Sequence, residues 1–228
     1  IAALNLPALN IELAKAYRAN GQQSRLLFSD VACLPELVTN LGTLAENLEG
    51  TTITSDPTSG FDISYNVRYK KYPGAYMANM YDAVTLIALA LESSKGEGGR
   101  LLVEALKKVV SGRSGKCRWQ RDEIGNAINF IKNGIYPDLK GASGDLNFDE
   151  LYFTDVCSTT YGHWRVDAGQ FVVTEFYTSD AGGRISSTSA AYRVISEKKQ
   201  QFFDFGIWPI LQPKKGLYAF LMATSKDY

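Results

Sequence analysis

Histidine is almost missing from this sequence: His163 is the only one in 228 residues. A zinc site needs three or four clustered ligands, and one histidine with three dispersed cysteines does not provide them. Those cysteines, Cys33, Cys117 and Cys157, follow no C-x-x-C or comparable metal spacing. Their odd number leaves at least one thiol unpaired, and they are expected to be small buried hydrophobes. Long apolar runs are missing too. Nothing approaches the ~20 residues that span a bilayer, the longest candidate being the stretch around Val84 to Leu91. Net charge is likewise absent, with Lys plus Arg and Asp plus Glu at 24 each. No long-range field therefore draws the chain to nucleic acid or to an anionic membrane. No metal, cofactor or nucleic-acid partner is expected.

What remains is a globular composition, with 45% hydrophobic and 21% charged residues, which argues for a packed core and against disorder. The length suits one substantial core, or one full domain and part of a second. The chain opens at Ile1 without an initiator Met or a charged-then-apolar leader. Either a signal has been removed or the sequence begins inside a longer protein, and both readings stay open.

The first thirty residues read as strand, helix, strand. Ile1 to Leu4 is apolar, and Pro7 opens a helix with Leu9, Leu13, Ala16 and Tyr17 as its apolar positions. Asn20 and Gly21 stop it, and Leu26 to Phe28 forms the next strand. A βαβ unit implies parallel strands with ligand access at their carboxyl ends. A helix over Leu34 to Leu41 and a strand over Gly50 to Thr54 extend the alternation. Tyr76, Met80, Val84, Ile87 and Leu91 recur at helical spacing and predict one buried face. Further helices are predicted at Arg100 to Val110 and at Asp122 to Lys132, the latter carrying Ile124, Ala127, Ile128 and Ile131. After Gly141 short strands are expected at Leu146 to Phe148, Tyr152 to Cys157, Trp164 to Val166 and Gln170 to Phe176, with Asp167, Ala168 and Gly169 as a hairpin loop. Thr178 to Ser189 reads as a solvated loop. The fold class is α/β, a mainly parallel Rossmann-like sheet with flanking helices, followed by antiparallel strands.

The segments LLFSDVACLPEL, GTTIT, PGAYMANMYDAVTLIALALESSKG and GASGDLNFD, in this order, resemble the C-terminal lobe of type I periplasmic solute-binding proteins, the branched-chain amino-acid binding group. That resemblance covers residues 1–150. It implies a lobe whose partner lobe lies outside this chain, and a periplasmic or cell-surface protein, secreted or lipid-anchored. The closing segment PKKGLYAFLMATSKDY resembles the entry strand of bacterial legumain-like cysteine peptidases, whose catalytic His and Cys would lie further along. Residues 151–212 are then returning strands, hairpin and linker, and 213–228 the first strand of a following domain.

Ligand contacts are expected where strands end: Asn5 and Leu6 after the first, Asp30 and Val31 after the second. In amino-acid binding relatives an acidic group at the place of Asp30 pairs with the ligand ammonium, so the resemblance implies a small polar, amino-acid-like ligand. Asp30 or Ser29 could equally cap the helix at Leu34. Tyr81 and Asp82 are expected to be core and cap partners. A Cys157 and His163 dyad is conceivable, yet no nucleophile turn or oxyanion donor accompanies it, so structural roles are expected and no catalytic residue is assigned. Asp145, Asn147, Asp149 and Glu150 could hold calcium, but the spacing lacks the EF-hand glycine and closing Glu, which favours a surface turn. Arg68, Lys70 and Lys71 read as a solvated helix end. The function classes that remain are a solute-binding or sensory module, a non-catalytic part of a legumain-like peptidase, and a docking or homodimerisation module.

Overall fold

The structure is a computed structural model that describes residues 2–21, 24–149, 151, 153, 155–180 and 182–189. It forms two compact units: one runs to Asn79 and resumes at Ser158, and the other holds Met80–Cys157. In chain order the elements are β1 (Ala2–Ala3), α1 (Pro7–Ala19), β2 (Leu27–Phe28), α2 (Pro35–Leu41), β3 (Glu49–Ile53), α3 (Phe61–Tyr69), α4 (Met77–Ser93), α5 (Gly99–Val110), β4 (Lys116–Arg118), α6 (Arg121–Lys132), β5 (Asp138–Lys140), β6 (Thr159–Asp167), β7 (Gln170–Ser179) and β8 (Ile185–Ser189). Among the described residues no helix is long and apolar enough to cross a membrane.

The first unit is built on a six-stranded sheet in the order β1-β2-β3-β6-β7-β8. Its first three strands are parallel, as the βαβ pattern predicts. Pro7 and Pro35 open α1 and α2, where a missing amide proton costs nothing and the fixed φ suits a helix. β6 then pairs antiparallel with β3, so the returning strands both complete the sheet and form the hairpin β6–β7. The hairpin turn is two residues, Ala168 and Gly169, with φ of 49° and 72°, the left-handed pair that matches strand twist. Glu46 holds it from outside, accepting bonds from the amides of Ala168 (3.1 Å) and Gly169 (2.6 Å).

Trp164 is the centre of this unit's core and is wholly buried. Its ring stacks on Phe28 at 6.3 Å and meets the edge of Phe171 at 5.1 Å. Its indole N–H donates to the Thr51 carbonyl at 3.2 Å, which satisfies the one polar atom that burial would otherwise strand. The ring lies over Gly50, where any Cβ would overlap Trp164 Cζ2 and the Phe28 carbonyl.

The second unit packs α5, α6 and the parallel pair β4–β5 around Leu89, Val109, Cys117, Ile128 and Leu139. In α6 the four residues picked by periodicity, Ile124, Ala127, Ile128 and Ile131, are the four buried ones. Asp82 ties this unit together. Its carboxylate accepts from Ala142 N (2.7 Å), Ser143 N (2.7 Å) and Ser143 Oγ (2.6 Å). Gly141 makes the approach possible, since a Cβ there would overlap the carboxylate. The motifs YDAV and GASGD are thus two halves of one contact.

Four expectations are corrected. In α1 the buried positions are Asn10 and Ala14, while Leu9 is exposed; a small residue at 14 lets the helix lie close, and Leu13 and Tyr17 pack only partly. In α4 the expected face is the wetter one. Met80 and Ile87 are 66% and 46% exposed, Tyr76 precedes the helix, and Ala78, Asp82, Thr85, Leu86 and Leu89 are buried. The helix is apolar on most sides, so periodicity could not select its face. Thr178 to Ser189 is not a loop: Thr178 and Ser179 end β7 and Ile185–Ser189 is β8. A polar strand fits a sheet edge, where threonine keeps its β preference and hydroxyls discourage further pairing. Among the described residues between 141 and 157 the pairing seen is two isolated bridges, Lys140 with Asp145 and Phe148 with Val156, while Asn147 bonds the Asp138 and Arg113 side chains and Asp149 accepts from the Asp155 amide. The apolar tail after Tyr192, including residues 213–228, lies outside the described residues, as do Ile1, Glu150 and Tyr152.

Two outcomes follow for stability. Gly50→Ala should cost about 1–3 kcal/mol by overpacking, read as a lower urea midpoint with unchanged slope. Burial, opposed by the three donors, pushes the Asp82 carboxyl up to about 6. The folded state therefore holds that proton more tightly than the unfolded chain, and this contribution is full at low pH and lost as pH rises toward 6. Melting temperature measured from pH 4 to 7 should carry this falling component, and Asp82→Asn should remove it.

Candidate functional site

Because β1, β2 and β3 are parallel, their carboxyl ends share one edge, and the chain leaves that edge at Leu4, Ser29 and Thr54. All four residues expected to contact ligand lie there. Asn5 is exposed and its carbonyl accepts from Asn10 Nδ2 at 3.0 Å. Leu6, before α1, is 71% exposed. Asp30 begins a single 3-10 turn, Asp30–Ala32, with the exposed Val31 in its middle. The register Ala3↔Phe28 sets the two pairs side by side.

Asp30 does not cap. Neither Ser29 nor Leu34 makes a side-chain cap bond, so the turn and α2 start without one. Instead Asp30 Oδ2 accepts the hydroxyl of Tyr76. Tyr76 holds its backbone at φ 65°, in the left-handed region. The bond to Asp30, with burial and the carboxylate charge behind it, pushes the phenol up to about 12, so it stays a donor. Tyr161, whose backbone pairs with Ile53 at the end of β3, is near enough to add to that shift. Neither tyrosine was singled out for this site from the sequence. The signal that could have found Tyr76 is Pro73-Gly74, which delays the start of α4.

A cavity of about 510 Å3 lies in the same unit, lined among others by Cys33, Val38, Thr52, Asp62, Phe171 and Val173. Asp62 is buried and accepts the Ser55 hydroxyl. Burial pushes the Cys33 thiol up to about 12.

His163 and Asn147 are held in bonds within the fold. His163 uses both ring nitrogens, Nδ1 with Thr174 Oγ1 at 2.8 Å and Nε2 with Glu49 Oε2 at 3.0 Å. Glu49 is held below the usual carboxylate range by Arg25, which bonds it directly, and by His163. A ring so engaged is not placed to serve Cys157 as a base. Asn147 Oδ1 accepts from Arg113 Nη1 at 2.7 Å, and among the described residues no group of three His, Cys, Asp or Glu could hold a metal ion. Tyr69 ends α3, with Lys70 and Lys71 exposed beyond it, the helix end that was expected.

No protein-family model matches the sequence, and no curated protein does. Among solved structures, a leucine-binding protein of Thermotoga maritima matches with 22% identity and a TM-score of 0.53, over 75% of this chain and 42% of that one. Over the matched part the two chains share their fold. A substrate-binding protein of an ABC transporter from Sphaerobacter thermophilus matches at 18% identity and TM-score 0.47, over 83% of this chain and 43% of that one. A type 1 periplasmic binding protein of Bordetella pertussis matches at 13% and 0.46, over 83% and 46%. The chain spans less than half the length of each. None of the three is a legumain-like peptidase, and residues 213–228, which suggested one, are outside the described residues.

With its thiol raised to about 12, Cys33 should react with iodoacetamide at pH 8 at least roughly a hundredfold more slowly than a free cysteine titrating near ~8.5. Mass spectrometry of the peptides measures this.

Proposed function

We propose that the chain is a solute-binding or sensory module of a periplasmic or cell-surface protein, secreted or lipid-anchored, that takes a small amino-acid-like ligand at the edge formed by Asn5, Leu6, Asp30 and Val31. The ligand ammonium sits on the Asp30 carboxylate, and backbone groups at Asn5 and Leu6 complete the contact. The observation that carries this reading is an accessible carboxylate at the carboxyl end of a parallel strand, where open α/β sheets bind ligands, whose hydrogen-bond partner among the described residues is a neutral hydroxyl. The likeness to a leucine-binding protein supports the ligand class.

A second reading has its own observation. The same edge exposes Leu4, Leu6, Val31 and Leu34 at 79%, 71%, 38% and 37%, and apolar groups gathered at one edge mark contact surfaces. The surface would close against a partner lobe or a second copy of the chain, and light scattering across a concentration series distinguishes a dimer from a monomer.

The ligand reading is tested by titration calorimetry and thermal shift with amino acids. A ligand that binds only the folded state raises the melting temperature by mass action. Asp30→Ala should abolish amine binding while changing stability by less than about 1 kcal/mol, because the half-exposed partners can turn to water. Retained binding in that variant would place the ligand elsewhere.

A further inference from the structure

Tyr76 reaches Asp30 from 46 residues away in sequence and puts a hydroxyl where a ligand donor would go. Its ring is not anchored in the core, since the residue is 47% exposed. Its backbone stands in the left-handed region, at φ 65°, which an L-residue with a side chain enters only at a cost. A strained residue persists when its surroundings hold it, and such residues gather at ligand sites. The turn closed by Met77 N on the Gly74 carbonyl at 3.3 Å sets that backbone, and the hold visible on the side chain is the bond to Asp30. A half-exposed ring fastened by one terminal bond can leave without opening the core.

We propose that Tyr76 is an internal occupant of the Asp30 carboxylate, displaced when an amine binds, and that it sets the selectivity of the site for ammonium over neutral hydroxyl groups. This rests on Asp30 being the ammonium partner. A neutral ligand hydroxyl would only exchange one O–H donor for another, and the tethered phenol wins that exchange through its effective concentration. An ammonium brings a full charge and a bond roughly twice as strong as a neutral one, so it displaces the phenol. The phenol remains protonated at physiological pH, so the competition is between a neutral donor and a cation.

The test compares wild type, Tyr76→Phe and Asp30→Ala by titration calorimetry with two probes, L-leucine and the same molecule with hydroxyl in place of the amine, 2-hydroxy-4-methylpentanoate. Phenylalanine keeps the ring and the backbone preference but cannot occupy the carboxylate. Tyr76→Phe is expected to bind leucine about tenfold more tightly, the scale of one lost hydrogen bond to a charged group, and to gain binding of the hydroxy acid that wild type lacks. A merely structural role for Tyr76 would lower the melting temperature without tightening leucine binding. Unchanged or weaker leucine binding in Tyr76→Phe overturns the proposal while leaving Asp30 as the ligand partner. Wild-type affinity in Asp30→Ala, or no leucine binding in any of the three, overturns the reading of Asp30 and this proposal with it.

Discussion

The indole of Trp164 pressed onto Gly50 is the contact on which the larger unit depends. A parallel trio and an antiparallel ribbon meet at the β3–β6 pairing, and the two halves need a common core on one face. Trp164 supplies it by touching β2 through Phe28 and β7 through Phe171. Gly50 supplies the room, and the Thr51 carbonyl takes the indole proton. The register of β6 slips between His163 and Trp164, leaving Thr174 as an extra residue in β7. That bulge coincides with the point where Trp164 is wholly buried and His163 is bonded across to Glu49. Once β3 is pinned, its parallel neighbours β2 and β1 inherit its direction, and the edge bearing Asp30 and Asn5 follows.

Elements with one clear apolar stripe could be read directly from the sequence. In α6 Ile124, Ala127, Ile128 and Ile131 recur at steps of three, one and three, which puts them on one face, the face that goes inward. The βαβ start was legible because Pro7 marks a helix entry, Asn20 and Gly21 mark its stop, and the strands on either side are short and apolar. α4 was legible as a helix but not as an oriented one. Its inward face carries Asp82 and Thr85 alongside Leu86 and Leu89, and a buried acid defeats a reading based on hydrophobicity. The amides of Ala142 and Ser143 and the Ser143 hydroxyl, far along the chain, make that burial tolerable. β8 was missed for the opposite reason. Serine, threonine and glycine signal a turn when local preference decides, whereas here pairing with β7 decides.

The candidate site was legible to the extent that it follows from strand direction. Asp30 and Asn5 needed only the statement that two parallel strands end before them. Tyr76 could not be reached that way, because its place depends on one left-handed backbone position ahead of α4 and on a partner in another segment. Periodicity counted it as part of the helix face, one residue too early for where the helix begins.

The acidic side chains of the molecule show why Asp30 stands apart. Asp82 is buried under three donors, away from solvent. Glu49 is bonded by Arg25 and His163, so a ligand cation would have to displace groups carrying or able to carry positive charge. Glu46 spends both oxygens on the turn amides of Ala168 and Gly169. Asp62 is buried and takes the Ser55 hydroxyl. Each of these carboxylates would lose a fold contact on binding a ligand. Asp30 would lose a neutral hydroxyl on a half-exposed ring, and it stands where the geometry of parallel strands leaves the chain open to solvent. Ligand binding is cheapest where the bond it replaces holds the least structure, and among these five acids that is Asp30.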